Sequence, residues 1–191
     1  MKLDPFVAMG LATAFEVRGH DIEKAAFDVP ERPTSLKDYG ALGELAACAA
    51  SLGFATEVYL KVLLSGFGKL PGPEHSLSRL FAMLPDAGRK WAQELYVTEL
   101  QRVGPITHAI TLAVGPLETP LWEPAGPRPG EIATALASVA DAFTVWRYPF
   151  EVDIVGDSAY DFRYLEYGSL LACCHVFGQM CEELVLKPPS P

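Results

Sequence analysis

The sequence predicts an all-α fold: a helical bundle with two long central helices, short helices between them and a proline-rich excursion. Three observations lead to this prediction. Residues 42–63 carry an amphipathic stripe, the last segment is apolar nearly all round, and apolar and polar residues show little sustained alternation. Two long helices of this kind bury their apolar faces against each other. The 191 residues, 50% of them hydrophobic, suit one domain over residues 1–191.

The N-terminal region, residues 1–34, is predicted to be a helix followed by a linker. Asp4 suits an N-cap and Pro5 the first helical position, so the helix should run from Asp4 to about Arg18. The same Asp-Pro pair interrupts the apolar run that a secretory signal requires. We therefore expect no signal segment.

A long helix is predicted from about Ser35 to Ser65. Ser35 and Asp38 resemble a capping box, with Asp in place of the usual Glu or Gln. One face of this helix gathers eight small or apolar residues on a helical wheel. They are Leu42, Leu45, Ala46, Ala49, Gly53, Thr56, Leu60 and Leu63.

Shorter helices are predicted to follow, with Ser76 as the N-cap of one that ends near Pro85 and another from Asp86 to about Val103. Residues 104–130 form a Pro-rich loop, in which residues 105–114 favour either a short strand or a buried helical turn. Trp122 either anchors this loop or contacts a partner, and an anchor is the simpler expectation. The remaining predicted segments are helices over 129–146 and 158–186 and a flexible tail over 187–191.

The charge balance argues against nucleic acid as a partner. The formal net charge is -9 and the sequence pI is about 4.9, so the long-range field repels a polyanion. No uninterrupted apolar run reaches the roughly 18 residues of a membrane span. These features favour a soluble, cytoplasmic protein without a membrane partner.

The four cysteines are expected to be reduced and buried. Cys173, Cys174 and His175 point in three directions on a helix, so they cannot converge on one metal ion. Cys174 and Cys181 share a face, but seven residues of helix hold them about 10 Å apart, beyond disulfide reach. We therefore expect small hydrophobic side chains here, and neither a metal ligand nor a cofactor anywhere in the chain.

A candidate site combines Glu57 and Lys61 of the long helix with His75 of the turn that follows it. Glu57 lies one turn before Lys61 at the border of the buried stripe, which is the favourable order for an ion pair. His75 precedes the next helix and can turn back onto this border. The group forms either a polar notch for an anion or an internally bonded corner between two helices. The corner is the simpler interpretation, because polar groups at buried helix junctions are normally paired internally.

Two stretches resemble the HEPN helical domains of prokaryotes. They are "FATEVYLKVLL" followed by a Gly/Pro turn and "EHSLSRLFAMLP", and "WRYPFE" ahead of the last helix. The resemblance covers about half of the chain. It implies an α-helical bundle, pairing into a homodimer, and for some members an association with a nucleotidyltransferase.

Many HEPN domains are metal-independent ribonucleases with an Arg and a His four to six residues apart at the start of the last helix. Here Arg163 and His175 have eleven residues between them, and Arg147 has no histidine shortly after it. Arg102 and His108 have the required spacing, but Gly104 and Pro105 interrupt the helix between them. The resemblance therefore implies a member without the usual ribonuclease pair.

Other combinations of residues give weaker indications. Four acidic residues before the last helix could gather a cation if their loop curled, although a solvated turn is the simpler account. They are Glu151, Asp153, Asp157 and Asp161. His20 and His108 have no neighbours in sequence that would make either a ligand or a base.

The sequence thus favours a non-catalytic, HEPN-like binding or assembly module that forms a homodimer. Its predicted ligand is a nucleotide or another anion near Lys61, His75 and Arg147, with Glu57 orienting Lys61. One alternative is a metal-independent ribonuclease or toxin that uses Arg102 as phosphate clamp and His108 as base. Another is an interaction subunit for a nucleotidyltransferase.

Overall fold

The computed structural model describes residues 4–28, 35–103, 109–114, 129–143 and 161–186. Helices dominate this part of the chain, which confirms the predicted helical bundle. The helices are α1 (Pro5–Gly19), α2 (Ile22–Asp28), α3 (Leu36–Gly66), α4 (Leu77–Met83), α5 (Asp86–Val103), α6 (Ile132–Ser138) and α7 (Tyr167–Cys181), which continues into a π-helical turn (Glu182–Leu186). Two strands, β1 (Ala109–Val114) and β2 (Asp161–Glu166), form an antiparallel ribbon.

Helix α3 is the central element, and it contacts α1, α2, α4 and α7. It starts as predicted, because the Ser35 Oγ accepts from the Asp38 N–H while the Asp38 carboxylate accepts from the Ser35 N–H. All eight residues of the predicted stripe are buried. Gly53 lets the backbone at Phe143 come close, since a Cβ on Gly53 would lie 2.7 Å from the Phe143 nitrogen.

Helices α1 and α7 pack against α3. Asp4 caps α1 as predicted, with its Oδ1 3.0 Å from the Phe6 nitrogen. The end of α1 fits closely against α3, because a Cβ on Gly19 would lie 2.9 Å from the Leu52 Cβ. Helix α7 is buried along most of its length, as its apolar sequence predicts. Its Gly178 packs against the Tyr59 ring of α3, so α7 and α3 form the central pair of long helices.

The predicted start of the last helix is wrong. The last helix begins at Tyr167 and not near Ser158, because residues 161–166 form β2 and the Glu166 Oε2 accepts from the Ser169 N–H as an N-cap. The presence of β1 also resolves the choice left open for residues 105–114 in favour of a strand over 109–114.

The helix predicted over 129–146 is shorter as well. Its start moves to Ile132, because Gln93 of α5 binds the preceding backbone: the Gln93 Nε2 donates to the Gly130 carbonyl and its Oε1 accepts from the Ile132 N–H. A turn at residues 139–141 then ends α6, and the Ala140 carbonyl accepts from the Leu77 N–H at 2.8 Å. Helix α2 was not predicted and occupies part of the expected linker.

The burial of the cysteines agrees with the sequence prediction. All four cysteines are free and buried, and burial raises the pKa of the Cys173, Cys174 and Cys181 thiols well above the usual value.

Within the described residues, α3 is the one helix long and apolar enough to cross a membrane. Because 67% of its apolar window is buried inside the bundle, it fits the core of a soluble protein.

Several predictions fall on residues outside the described part of the chain. These are the Pro-rich loop around Trp122, the 187–191 tail, His108 and Arg147, and the acidic residues Glu151, Asp153 and Asp157.

Candidate functional site: a carboxylate–histidine cluster

The predicted corner on α3 is built around one buried carboxylate. The Glu57 side chain is 3% exposed, and its Oε1 accepts from the Lys61 Nζ at 2.7 Å and from the His75 Nδ1 at 2.9 Å. Lys61 lies one helical turn further along α3, and His75 reaches back from the turn before α4. The hydrogen bonds expected for an internally bonded corner are therefore present.

The turn before α4 fixes the position of His75. Ser76 precedes the helix as predicted, but its side chain makes no capping bond. Instead the Glu74 Oε1 accepts from the His75 and Ser76 N–H groups, each at 2.9 Å. These two backbone donors hold the pKa of the Glu74 carboxyl below its usual value.

Lys61 and His75 both direct a donor at Glu57, so an anion at this corner would compete with a carboxylate already in place.

A second group of polar side chains lies where α1, α5 and α7 meet. It contains Glu16 and His20 at the end of α1 and His175 in the middle of α7. The two imidazoles face each other, with their Nε2 atoms 3.1 Å apart. The Glu16 Oε1 lies 3.6 Å from the His175 Nε2 and 3.7 Å from the His20 Nε2. Three atoms that can bind a metal thus form a nearly regular triangle, which we call the carboxylate–histidine cluster.

Local structure explains why these three side chains meet. Glu16 and His20 are four residues apart, so they lie one above the other on the same face at the end of α1. His175 is on one of the less buried positions of α7, and its side chain is 20% exposed. The His20 side chain is 50% exposed, so the cluster opens to solvent on the His20 side.

Glu99 of α5 orients the His175 ring. Its Oε1 lies 2.7 Å from the His175 Nδ1. Because a carboxylate only accepts hydrogen bonds, this contact fits the tautomer with the proton on Nδ1, in which the Nε2 lone pair is directed at the cluster. A carboxylate behind a histidine in this way is the usual second partner of a metal-binding imidazole.

Arg102, one turn after Glu99, completes this support. It donates to both Glu99 oxygens, with the Nε to Oε2 distance 2.9 Å. Its Nη2 also lies 2.8 Å from the His175 Nδ1, but two donors do not bond to each other, so Arg102 supports His175 through Glu99. Burial alone would raise the pKa of Glu99, but Arg102 and His175 outweigh burial and hold the pKa below its usual value. Glu99 is therefore charged and can accept a hydrogen bond from the His175 Nδ1.

Tyr59 of α3 orients Glu16. Its hydroxyl donates to the Glu16 Oε2 at 2.7 Å and lies 3.1 Å from the Thr13 Oγ1. Burial raises the Tyr59 pKa far above its usual value, the Thr13 bond opposes this effect and Glu16 adds to it. Tyr59 thus remains a donor and occupies one carboxylate oxygen, while the other oxygen faces the two imidazoles.

The spacing within the cluster suits a tetrahedral metal ion. Metal–nitrogen and metal–oxygen bonds of about 2.0–2.2 Å place two ligand atoms of a tetrahedron about 3.3–3.6 Å apart. The three observed separations, 3.1, 3.6 and 3.7 Å, bracket that range. The ion pairs among the described residues join Glu16 only to the two histidines, so no lysine or arginine there neutralises its charge.

Sequence reasoning missed this cluster. The four-residue spacing of Glu16 and His20 was the available signal, but His175 is 155 residues from His20 and only the packing of α7 near the end of α1 brings them together. Of the alternative ribonuclease pair, Arg102 contacts Glu99 and His175, whereas His108 lies outside the described residues.

Comparison with known proteins gave no match, whether with protein-family models, with curated proteins or with solved structures. Fold and site together define the class as a helical bundle with a carboxylate–histidine cluster between its helices. The HEPN resemblance stays a prediction.

Proposed function

We propose that this protein is a helical metal-binding module that holds one divalent transition-metal ion at Glu16, His20 and His175. The observation that carries the proposal is the triangle of two imidazole nitrogens and one carboxylate oxygen, with sides of 3.1, 3.6 and 3.7 Å. A cation at its centre would gain three ligands with little movement of the helices.

The surroundings of the cluster support a metal rather than a purely structural contact. Two imidazole nitrogens 3.1 Å apart can share at most one hydrogen bond, whereas a cation would engage a lone pair on each ring. Glu99 and Tyr59 each bind the rear of a ligand, which is the pattern of outer partners that fixes metal ligands in position. The partly exposed His20 gives an ion a route from solvent.

The ligand set selects the class of metal. Two imidazoles with one carboxylate suit zinc, cobalt, nickel or iron, while magnesium and calcium require mostly oxygen ligands. Three protein ligands leave one position for water, which is the arrangement of open zinc centres rather than closed structural ones. Zinc is therefore the expected ion, and cobalt(II) is a suitable spectroscopic substitute.

Cobalt(II) titration of untagged protein tests the proposal. We expect one equivalent to bind and to produce the visible absorption of a four-coordinate nitrogen and oxygen site, and zinc to abolish it. His20→Ala and His175→Ala should each weaken binding more than about 100-fold, since each removes a ligand. Absence of this absorption in the wild-type protein would contradict the proposal.

The Glu57 corner supplies a matched control. His75→Ala removes a histidine of comparable exposure to His20, 55% against 50%, that also contacts a glutamate. Cobalt(II) binding should stay unchanged in this variant. Equal losses in His75→Ala and His20→Ala would mean that histidines bind metal non-specifically. Circular dichroism on each variant separates loss of the site from loss of the fold.

The same preparation separates this function from the predicted alternatives. We propose that the protein, as a non-catalytic binding module, holds its metal ion at the carboxylate–histidine cluster when no nucleotide is present. The ribonuclease alternative requires that the protein cleave RNA in the presence of chelator. It also requires that the His108→Ala variant lose this cleavage. Cleavage of that kind would place the activity outside the carboxylate–histidine cluster and would favour Arg102 and His108 as its residues.

A further inference from the structure

Helix α1 carries apolar residues on both of its faces, although only one face packs against the bundle. Ala8, Met9 and Ala12 are buried, mainly against α3. On the opposite face, four large apolar side chains are exposed. They are Phe6 (61%), Val7 (70%), Leu11 (46%) and Val17 (67%). A helix that is hydrophobic all round is normally covered on all sides.

The exposed residues form one continuous surface, which we call the α1 face. Its members recur at helical spacing and include the exposed small residues Gly10 and Ala14 between the large ones. Nothing lies within 4 Å of the position that a Cβ on Gly10 would occupy. Between Asp4 and Arg18 the only charged residue is Glu16, which faces the carboxylate–histidine cluster. The α1 face therefore carries no charge of its own.

We propose that the α1 face binds the α1 face of a second copy of this chain, with the two helices antiparallel about a two-fold axis near Leu11. A two-fold contact brings the same surface of both copies together. Gly10 allows the two backbones to approach at the axis. Phe6 and Val7 of each copy then cover the small residue Ala14 of the other.

Charge at the ends of α1 supports this antiparallel arrangement. Asp4 and Arg18 are each seven residues from Leu11, so a two-fold axis at Leu11 places Asp4 of one copy near Arg18 of the other. A parallel arrangement would instead bring like charges together. The Asp4 Oδ1 makes the exposed capping bonds of α1, and the Arg18 Nη2 contacts Glu44, with both of these side chains nearly half exposed. Asp4 and Arg18 therefore lie at the solvent-exposed edge of the proposed contact.

The composition of α1 favours a protein partner over a membrane surface. Helices that lie on membranes are rich in Lys and Arg on their polar side. The described part of α1 has no lysine and one arginine, and the whole chain carries a net charge of -9, which opposes binding to anionic lipids. A second copy is the occupant that matches both the uncharged centre and the oppositely charged ends.

Sedimentation velocity over a range of concentrations tests the contact, and disulfide trapping tests its geometry. The wild-type chain should sediment as a dimer, whereas Val7→Glu and Leu11→Glu should sediment as monomers with unchanged circular dichroism. Leu36→Glu is the matched control, because Leu36 is 89% exposed but lies on α3. It should remain a dimer.

A residue on the axis meets its own copy, so Leu11→Cys should form a disulfide-linked dimer on mild oxidation, while Val17→Cys should not. The four native cysteines are buried and give no background. The proposal is overturned if the wild-type chain is monomeric at all concentrations, including the case of a monomer that binds vesicles of anionic lipid. A Leu11→Glu variant that remains dimeric, or a Val17→Cys variant that crosslinks as fast as Leu11→Cys, also overturns it.

Discussion

The Glu57 corner and the carboxylate–histidine cluster use the same residue types but differ in what neutralises the carboxylate. At the corner, Lys61 brings a positive charge to the Glu57 Oε1 from the same helix, 2.7 Å away. In the cluster, Glu16 receives a neutral hydroxyl from Tyr59 on one oxygen and faces two imidazoles with the other. The Glu57 carboxylate thus has a lysine partner within the fold, whereas Glu16 has no lysine or arginine partner among the described residues, and it is Glu16 that we propose for an external cation.

Removal of the internal cation should give the largest effect of all. Lys61→Met keeps an unbranched side chain, one atom shorter than lysine, but leaves the buried Glu57 carboxylate without its positive partner. We expect the free energy of unfolding to fall by about 3 kcal/mol, the magnitude of a broken buried ion pair. Urea denaturation measures this loss, with Lys90→Met on α5 as the control, because Lys90 is 81% exposed. A loss no larger than that of Lys90→Met would show that the corner is not held by charge.

Metal should stabilise the protein through the cluster alone. At free zinc one hundred times the dissociation constant, the free energy of unfolding should rise by about 2.7 kcal/mol and return to its former value on addition of chelator. The increase should fall to about 0.4 kcal/mol or less in His20→Ala, which binds at least 100-fold more weakly, and should be complete in Lys61→Met. An increase of equal size in His20→Ala would mean that the ion binds elsewhere.

Loss of the outer carboxylate should weaken metal binding by a smaller factor. Glu99→Gln keeps an oxygen that can accept from the His175 Nδ1 but removes the negative charge, so we expect about 10- to 100-fold weaker zinc binding. Competition titration with a chromophoric chelator measures this change. Glu94→Gln, on the same helix and 65% exposed, is the control and should bind zinc as tightly as the wild-type chain.

The smallest effect is expected for the exposed member of the corner. His75→Ala removes one hydrogen bond to Glu57, but the His75 side chain is 55% exposed and Lys61 still neutralises the carboxylate. The free energy of unfolding should fall by no more than about 1 kcal/mol. A loss as large as that of Lys61→Met would show that His75, and not Lys61, is the main partner of Glu57.

Local signals made most of the fold predictable. Asp4, Ser35 and Asp38 are capping residues whose effect depends on the next few positions, and the starts of α1 and α3 agree with prediction. The starts of α6 and α7 depend on distant partners. Gln93 binds the backbone before Ile132, and pairing with β1 extends residues 161–166 into a strand. Neither contact leaves a pattern in the local sequence.

The two polar sites also differ in whether their residues are close or distant in the sequence. Glu57 and Lys61 are neighbours on one helix, so their ion pair follows from spacing. The cluster joins Glu16, His20 and His175, and only tertiary packing makes His20 and His175 neighbours. The sequence therefore predicted the contacts of the corner and missed the cluster, which has the geometry of a metal site.

X-ray absorption at the zinc edge of the zinc-loaded, untagged protein tests the central claim most directly. The predicted first shell contains only nitrogen and oxygen at about 2.0–2.2 Å, with outer-shell scattering from two imidazoles that falls to one in His175→Ala and stays at two in His75→Ala. Sulfur at about 2.3 Å, or a first shell without imidazole, would show that zinc binds somewhere other than the carboxylate–histidine cluster and would contradict the account.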